Sequence, residues 1–300
     1  MSALLVPDLA AADRSAAGSR ASSSLHAWFP VSTCGSRCLR PRDRRGLDRL
    51  GDLVRAGWRA TRLVAVIARF VVPGVAGDRA GRSPGRRSRA SRACLAALGI
   101  RTVIDDRRSG AQRATPALVV ANHISYLDIL ALSLVVPAPV VAKSEVLDMP
   151  LVASAARRCG VIGVDRRRLR DLPATVDEVT ARLRRGESVI VFPEGTTFCG
   201  REAGAFRPAF FQAAVDAGVP VLPVGLRFRG NGGRPAPEPG FIGDDTPLAT
   251  LGRVLTARGL VVEVRLGPLE PPRVDRRELA ARCRRVVVGE RRGEKWRPGK

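Results

Sequence analysis

Apolar runs of five to ten residues at 117–121, 188–192, 219–228 and 260–266 constrain this chain's fold more than any other feature. Each is dominated by valine, isoleucine, leucine or alanine, the pattern of a strand covered on both faces. Segments of helical period separate them. Leu172, Val176, Val179 and Leu183 recur at spacings of 4, 3 and 4, and Gly186 follows as a stop, so 171–185 reads as a helix. Residues 126–136 read as a helix ending before Pro137, and 208–217 as one with Pro208 in its first turn and Gly218 past its end. Short strands are expected at 139–142 and 161–164. This alternation predicts an α/β fold, a sheet covered by helices. Pro220 and Pro223 inside the third apolar run imply an edge strand or a bulge.

The flanks differ in composition. Residues 1–45 are rich in alanine, serine, arginine and proline and read as mostly disordered. Residues 46–92 form a second unit, a helix followed by a Gly/Ser/Pro/Arg linker at 77–92. Within it, 51–76 look helical. Arg55, Arg59, Arg62 and Arg69 share one face, and Trp58, Leu63, Val64, Ile67, Phe70 and Val71 fill most of the others. The run is broken by Arg69 and is shorter than the roughly 20 residues a bilayer span needs. Two readings stay open: an interfacial helix with arginines among lipid phosphates, or an amphipathic helix packed on the domain. The folded domain is expected at 93–288 and a basic tail at 289–300.

Charge narrows the partners. Lysine and arginine number 51 against 28 acidic residues, a net charge of +23, and the only lysines are Lys143, Lys295 and Lys300. Such a surface seeks polyanions, whether anionic lipid, nucleic acid or phosphorylated small molecules. With one tyrosine and nine phenylalanines, mostly in apolar runs, no stacking platform for bases is visible, so no specific nucleic-acid partner is expected. The six cysteines form no Cys-x-x-Cys pair, and the first residues lack a basic stretch followed by an apolar one. Free thiols in a reducing cytoplasm are expected. His26, Cys34 and Cys38 offer three metal-ligand types, but at a spacing unlike the usual zinc patterns, and no metal is expected.

Four blocks carry chemistry. In the first, Asn122-His123-Ile124-Ser125-Tyr126-Leu127-Asp128, a histidine directly follows a strand. On one continuous helix His123 and Asp128 would point roughly 140° apart. They meet if His123 sits in the turn before the helix and Asp128 in its first turns. Asp128 would then fix the imidazole tautomer and leave the other ring nitrogen for a substrate proton. The plainer reading is a turn histidine and a helix N-terminal acid. The second block, Gly160 to Arg166, ends a strand in an arginine suited to phosphate. The third, Phe192-Pro193-Glu194-Gly195-Thr196-Thr197, runs a buried strand into a tight turn with a glutamate at its mouth. Arg207 follows at the start of the next helix. The fourth is Val219-Pro220-Val221-Leu222-Pro223-Val224.

In order and spacing the four blocks resemble those of the 1-acylglycerol-3-phosphate acyltransferase family, the lysophosphatidate acyltransferases. The resemblance implies a mixed central sheet flanked by helices. It implies an enzyme at the cytoplasmic face of the cell membrane, peripheral or monotopic. That enzyme moves a fatty acyl group from acyl-CoA or acyl carrier protein to a lysophospholipid hydroxyl, with no further cofactor. On this pattern His123 is the general base and Asp128 its orienting partner. Asn122, Arg166, Glu194, Gly195, Thr196 and Arg207 bind substrate. One departure stands out: relatives commonly carry arginine where this chain has Thr197, which leaves the head group open between lysophosphatidate and another lysolipid such as a lyso-ornithine lipid. Two other classes remain: a thiol hydrolase using Cys199 with His123, and a non-enzymatic polyanion binder.

Overall fold

The computed structural model describes residues 29–39, 46–70, 83–106, 108–148, 153–243, 245–272 and 275–288. The helices are α1 (Gly46–Phe70), α2 (Pro84–Ala97), α3 (Gly110–Ala114), α4 (Leu127–Leu132), α5 (Ala153–Arg158), α6 (Leu172–Arg184), α7 (Phe211–Ala217), α8 (Pro247–Thr256) and α9 (Arg276–Val288). The strands are β1 (Arg101–Asp106), β2 (Leu118–Ala121), β3 (Val141–Lys143), β4 (Ile162–Val164), β5 (Val189–Val191), β6 (Val221–Arg229) and β7 (Val261–Leu266).

The apolar runs become the core strands of a five-stranded sheet in the order β1-β7-β6-β2-β5. It is mixed: β7 runs antiparallel to β6, and the other pairs are parallel. The short parallel pair β3–β4 extends it through a bridge between Val140 and Ile190. Side chains on β2 alternate between the two faces. Val119 and Ala121 join the cluster under α2, α4 and α8; Leu118 and Val120 join the one under α6, α7 and α9. All four residues are fully buried. A strand covered on both sides reads as a continuous apolar run, which is why these strands were visible in the sequence.

Pro223 does not lie on an edge strand. β6 is the middle strand of the five. The register Val224↔Leu266 becomes Val221↔Glu270 across the proline, so β7's side carries one residue more than β6's. The Pro223 carbonyl accepts from Gly267 N–H at 2.8 Å, so its nitrogen faces that same irregular stretch. A bulge therefore sits where the proline has no N–H to give.

The expected linker at 77–92 is corrected in its described part. Ser83 precedes a helix with Pro84 in its first turn, and α2 runs through residue 93, the expected domain boundary. Its Leu95 and Ala97 are buried, while residues 71–82 lie outside the described residues. α1 occupies the described part of the expected 51–76 helix and packs along α2 and α8. Arg59 pins it: the Arg59 guanidinium donates to the carbonyls of Val254, Leu255 and Ala257 at 3.2, 2.9 and 2.6 Å, at the C-terminal end of α8. That placement suits a cation. Arg55 pairs with buried Asp52 at 2.7 Å. Two of the four arginines thus face protein. The opposite face of α1, with Leu50, Leu53, Val54, Trp58 and Val64, is exposed, with Leu53 and Trp58 at 68% and 64%. No described helix is long and apolar enough to cross a membrane.

Candidate active site

β2 delivers Asn122 and His123 beyond its end, and α4 begins four residues after His123. Asp128 lies in the first turn of α4 and is fully buried. Its Oδ2 accepts from the backbone N–H of Ile124 and Ser125 at 2.6 and 2.9 Å, and it lies 2.9 Å from His123 Nδ1. An ionised carboxylate oxygen so surrounded can only accept, so the imidazole proton belongs on Nδ1. Nε2 is left with a lone pair. The imidazole is partly exposed and stacks on the Phe192 ring with centroids 4.0 Å apart. This is the turn-then-helix arrangement that the five-residue spacing requires, and it gives His123 the geometry of a general base.

The third block meets the first. Phe198 N–H donates to the His123 carbonyl at 2.8 Å, and Phe241 N–H to that of Ile124 at 2.9 Å. Glu194 is buried, and its carboxylate accepts from His123 N–H at 2.7 Å and from Gly204 N–H at 2.8 Å. The resemblance gives this carboxylate to the acceptor; the bonds it makes here brace the turn that carries His123. Asn122 is likewise buried and pairs with both polar backbone atoms of Leu226, at 2.8 and 3.1 Å. Through these two bonds it ties the end of β2 to β6. The partners of both side chains are backbone groups of distant segments, which residue types at fixed spacing do not announce.

Gly195, Arg166 and Arg207 come together beside this turn. Gly195 adopts φ +70°, the left-handed region where a side chain is strained. A Cβ there would meet Pro30 at 3.0 Å and lie 3.7 Å from the Arg207 side chain. Arg166 donates to the Gly195 carbonyl and lies over the Phe29 ring, 6.0 Å from its centroid. Burial lowers the Arg166 pKa, with nearby Glu145 opposing. Even so, an arginine stays charged at neutral pH. Thr197 donates its hydroxyl to the Phe241 carbonyl at 2.6 Å, anchoring the loop before α8. Thr196 is half-buried in the same turn.

Phe29 and Pro30 were missed. Composition predicts that residues 1–45 are mostly disordered, yet residues 29–39 pack beside the site, with Pro30 and Cys34 buried. The one signal was an aromatic and two cysteines in an otherwise polar stretch. Residues 1–28 lie outside the described residues. Cys199 is buried against Cys34, Phe198 and Ile242, and its sulfur lies within 4.8 Å of those of Cys34 and Cys38. Burial opposes, and hydrogen bonds from Arg201, Cys34, Glu202 and Cys38 outweigh it in lowering the Cys199 pKa, but the thiol is shut away from the solvent a hydrolase nucleophile needs. A cavity of about 410 Å³ lined by Arg108, Arg227, Glu263 and Arg265 touches no residue of the four blocks.

A family model described as Acyltransferase matches residues 103–227, which contain all four blocks. The lyso-ornithine lipid O-acyltransferase of Pseudomonas aeruginosa is 36% identical over 202 residues, covering 67% of this chain and 78% of the relative. The chain belongs to the 1-acylglycerol-3-phosphate acyltransferase family. The 1-acyl-sn-glycerol-3-phosphate acyltransferase of Neisseria meningitidis serogroup B is 34% identical over 188 residues, 61% of this chain and 72% of that protein. The crystal structure of the 1-acyl-sn-glycerophosphate acyltransferase from Thermotoga maritima shares the fold. Its TM-score is 0.59 at 19% identity, covering 83% of this chain and 100% of that one. This protein is thus an acyltransferase with a mixed central sheet flanked by helices.

Replacing Glu194 by glutamine puts an amide N–H₂ against one of the two backbone donors. We expect Glu194→Gln to cost about 2 kcal/mol in urea unfolding. In this acyltransferase kcat should fall while the acceptor KM stays within about twofold. A raised acceptor KM at unchanged kcat would return Glu194 to the substrate.

Proposed function

We propose that this acyltransferase moves a fatty acyl group from a thioester, acyl-CoA or acyl carrier protein, to the free hydroxyl of 1-acylglycerol-3-phosphate, giving phosphatidate. The observation that carries the reading is the His123–Asp128 pair beside the arginine-flanked Gly195 turn. His123 Nε2 takes the hydroxyl proton as the oxygen attacks the thioester carbonyl. The C–O bond forms, the C–S bond breaks, and the departing thiolate recovers the proton. A base placed this way contributes about 10² to 10⁴ in rate. The acceptor attacks directly, so no protein nucleophile enters. Arg166 and Arg207 supply permanent charge for the acceptor phosphate, and Gly195 and Thr196 line its approach.

A second acceptor, a lyso-ornithine lipid, is favoured by one observation. The family resemblance implies arginine where this chain has Thr197, and the Thr197 hydroxyl is committed to the Phe241 carbonyl. One cation fewer suits a head group less anionic than a phosphate monoester. We expect a panel of lysolipids offered with one labelled acyl-CoA to show fastest transfer to 1-acylglycerol-3-phosphate. Faster transfer to lyso-ornithine lipid would establish the second acceptor, and transfer to none would end both readings.

The exposed face of α1 supports peripheral or monotopic docking on the cytoplasmic face of the cell membrane. Leu50, Leu53, Val54, Trp58 and Val64 form a stripe flanked by exposed Arg62 and Arg69, which matches an interfacial helix on anionic lipid. Leu248 at the start of α8 is exposed nearby. Tyr126, three residues from His123, donates to the Pro247 carbonyl at 3.3 Å, which ties the start of α8 to the catalytic turn. Each buried apolar side chain is worth about 1.5–3 kcal/mol. Binding to vesicles of phosphatidylglycerol and phosphatidylethanolamine should therefore weaken more than about tenfold in the Leu53→Glu, Trp58→Glu double variant. Unchanged binding would put the docking surface elsewhere.

A further inference from the structure

Cys34, Cys38 and Cys199 place three thiol sulfurs within 4.8 Å of one another. They come from two segments, with Cys34 and Cys199 separated by 165 positions. Cys34 and Cys199 are buried and Cys38 is half-buried, and all three are free thiols. Cys34 precedes and Cys38 ends the 3₁₀ turn Ser36–Cys38, which turns both sulfurs toward the loop after the Pro-Glu-Gly-Thr block.

Two of the three sulfurs accept hydrogen bonds of the kind a metal-bound thiolate keeps. Cys199 N–H donates to Cys34 Sγ at 3.2 Å. The Cys199 sulfur accepts from the backbone N–H groups of Arg201 and Glu202, two and three residues on, and the Cys34 sulfur from Ser32. A disulfide would use two of these sulfurs and strand the third. Tetrahedral zinc uses all three: at a Zn–S distance of about 2.3 Å the sulfurs stand roughly 3.8 Å apart, a contraction of about 1 Å or less from the present limit.

We propose that Cys34, Cys38 and Cys199 bind a zinc ion that clamps residues 29–39 over the acceptor side of the active site. On binding, each thiol releases one proton to solvent and three Zn–S bonds form; solvent or an added donor completes the tetrahedron. The resulting Zn(S⁻)₃ unit carries one net negative charge, offset by exposed Arg37 and Arg201 beside it. Its role is structural. The clamped segment presses Pro30 against Gly195 and Phe29 against Arg166, and Thr33 donates to Glu202 at 2.6 Å. Zinc occupancy is thereby tied to the placement of the proposed acceptor arginine. The metal site itself does not depend on which lipid is accepted.

The test uses the full chain, produced with zinc in the medium and purified with a reductant but no chelator. Elemental analysis should find about one zinc per chain. Cys34→Ser, Cys38→Ser and Cys199→Ser should each lose it, while Cys94→Ser and Cys159→Ser keep it. Cobalt exchanged into the wild-type protein should give thiolate-to-metal charge-transfer absorption and tetrahedral d–d bands, a readout needing no folded variant. Zinc-free protein without these bands would overturn the site, as would a Cys34–Cys199 disulfide persisting under reductant. Chelation should raise the KM for the acceptor and leave that for acyl-CoA unchanged; an unmoved acceptor KM with zinc removed would overturn the clamp.

Discussion

The active-site geometry hangs on one carboxylate oxygen. Asp128 Oδ2 accepts from two successive backbone N–H groups, Ile124 and Ser125, and holds His123 Nδ1. A buried charge is costly unless it is fully hydrogen-bonded. Here three donors converge on Oδ2, while the buried Oδ1 has no hydrogen-bond partner among the described residues. The N–H groups fix the turn, the turn fixes the ring, and the ring stacks on Phe192 from β5's loop. Removing the carboxylate would release both the tautomer and the backbone that carries the histidine.

A second ring of contacts keeps the turn in register with the sheet. Asn122 pairs with Leu226 on the central strand β6. Glu194 joins the histidine N–H to Gly204. The blocks shared with the family therefore divide in two. His123, with Asp128 buried behind it, and Gly195, with Arg166 on its carbonyl, are the groups proposed to serve the chemistry. Asn122 and Glu194 hold that group in place through backbone partners. Such a rigid support is what positioned catalysis requires, because small displacements of a base are costly in rate.

How much could be read from the sequence follows from where each signal lies. The strands β2 and β5 were legible because burial on both faces leaves only apolar residues, and β7 because its apolar residues outnumber Glu263 and Arg265. β1 was not: its sequence, RTVIDD, is polar, and no residue of it is buried. α2 buries only Ser91, Leu95 and Ala97, so its arginines disguised it as a linker. α8 follows a Gly/Pro-rich stretch at 230–247 and was given no element, although Thr246 caps it and Pro247 starts it. The His123–Asp128 pairing was legible because it is local. The roles of Asn122 and Glu194 were not, since their partners are main-chain groups carrying no residue identity. The docking of residues 29–39 rests on long-range contacts of Phe29, Pro30 and Cys34, which composition cannot show.

The most direct test of this account is a double-mutant cycle on acyl transfer from labelled acyl-CoA to 1-acylglycerol-3-phosphate, with wild type, His123→Ala, Asp128→Asn and the double variant. If Asp128 acts by orienting His123, each single change lowers kcat by about 10² or more, and the double variant is scarcely worse than His123→Ala alone. Losses that simply multiply would show two independent roles, and undiminished transfer by His123→Ala would contradict the assignment of the base.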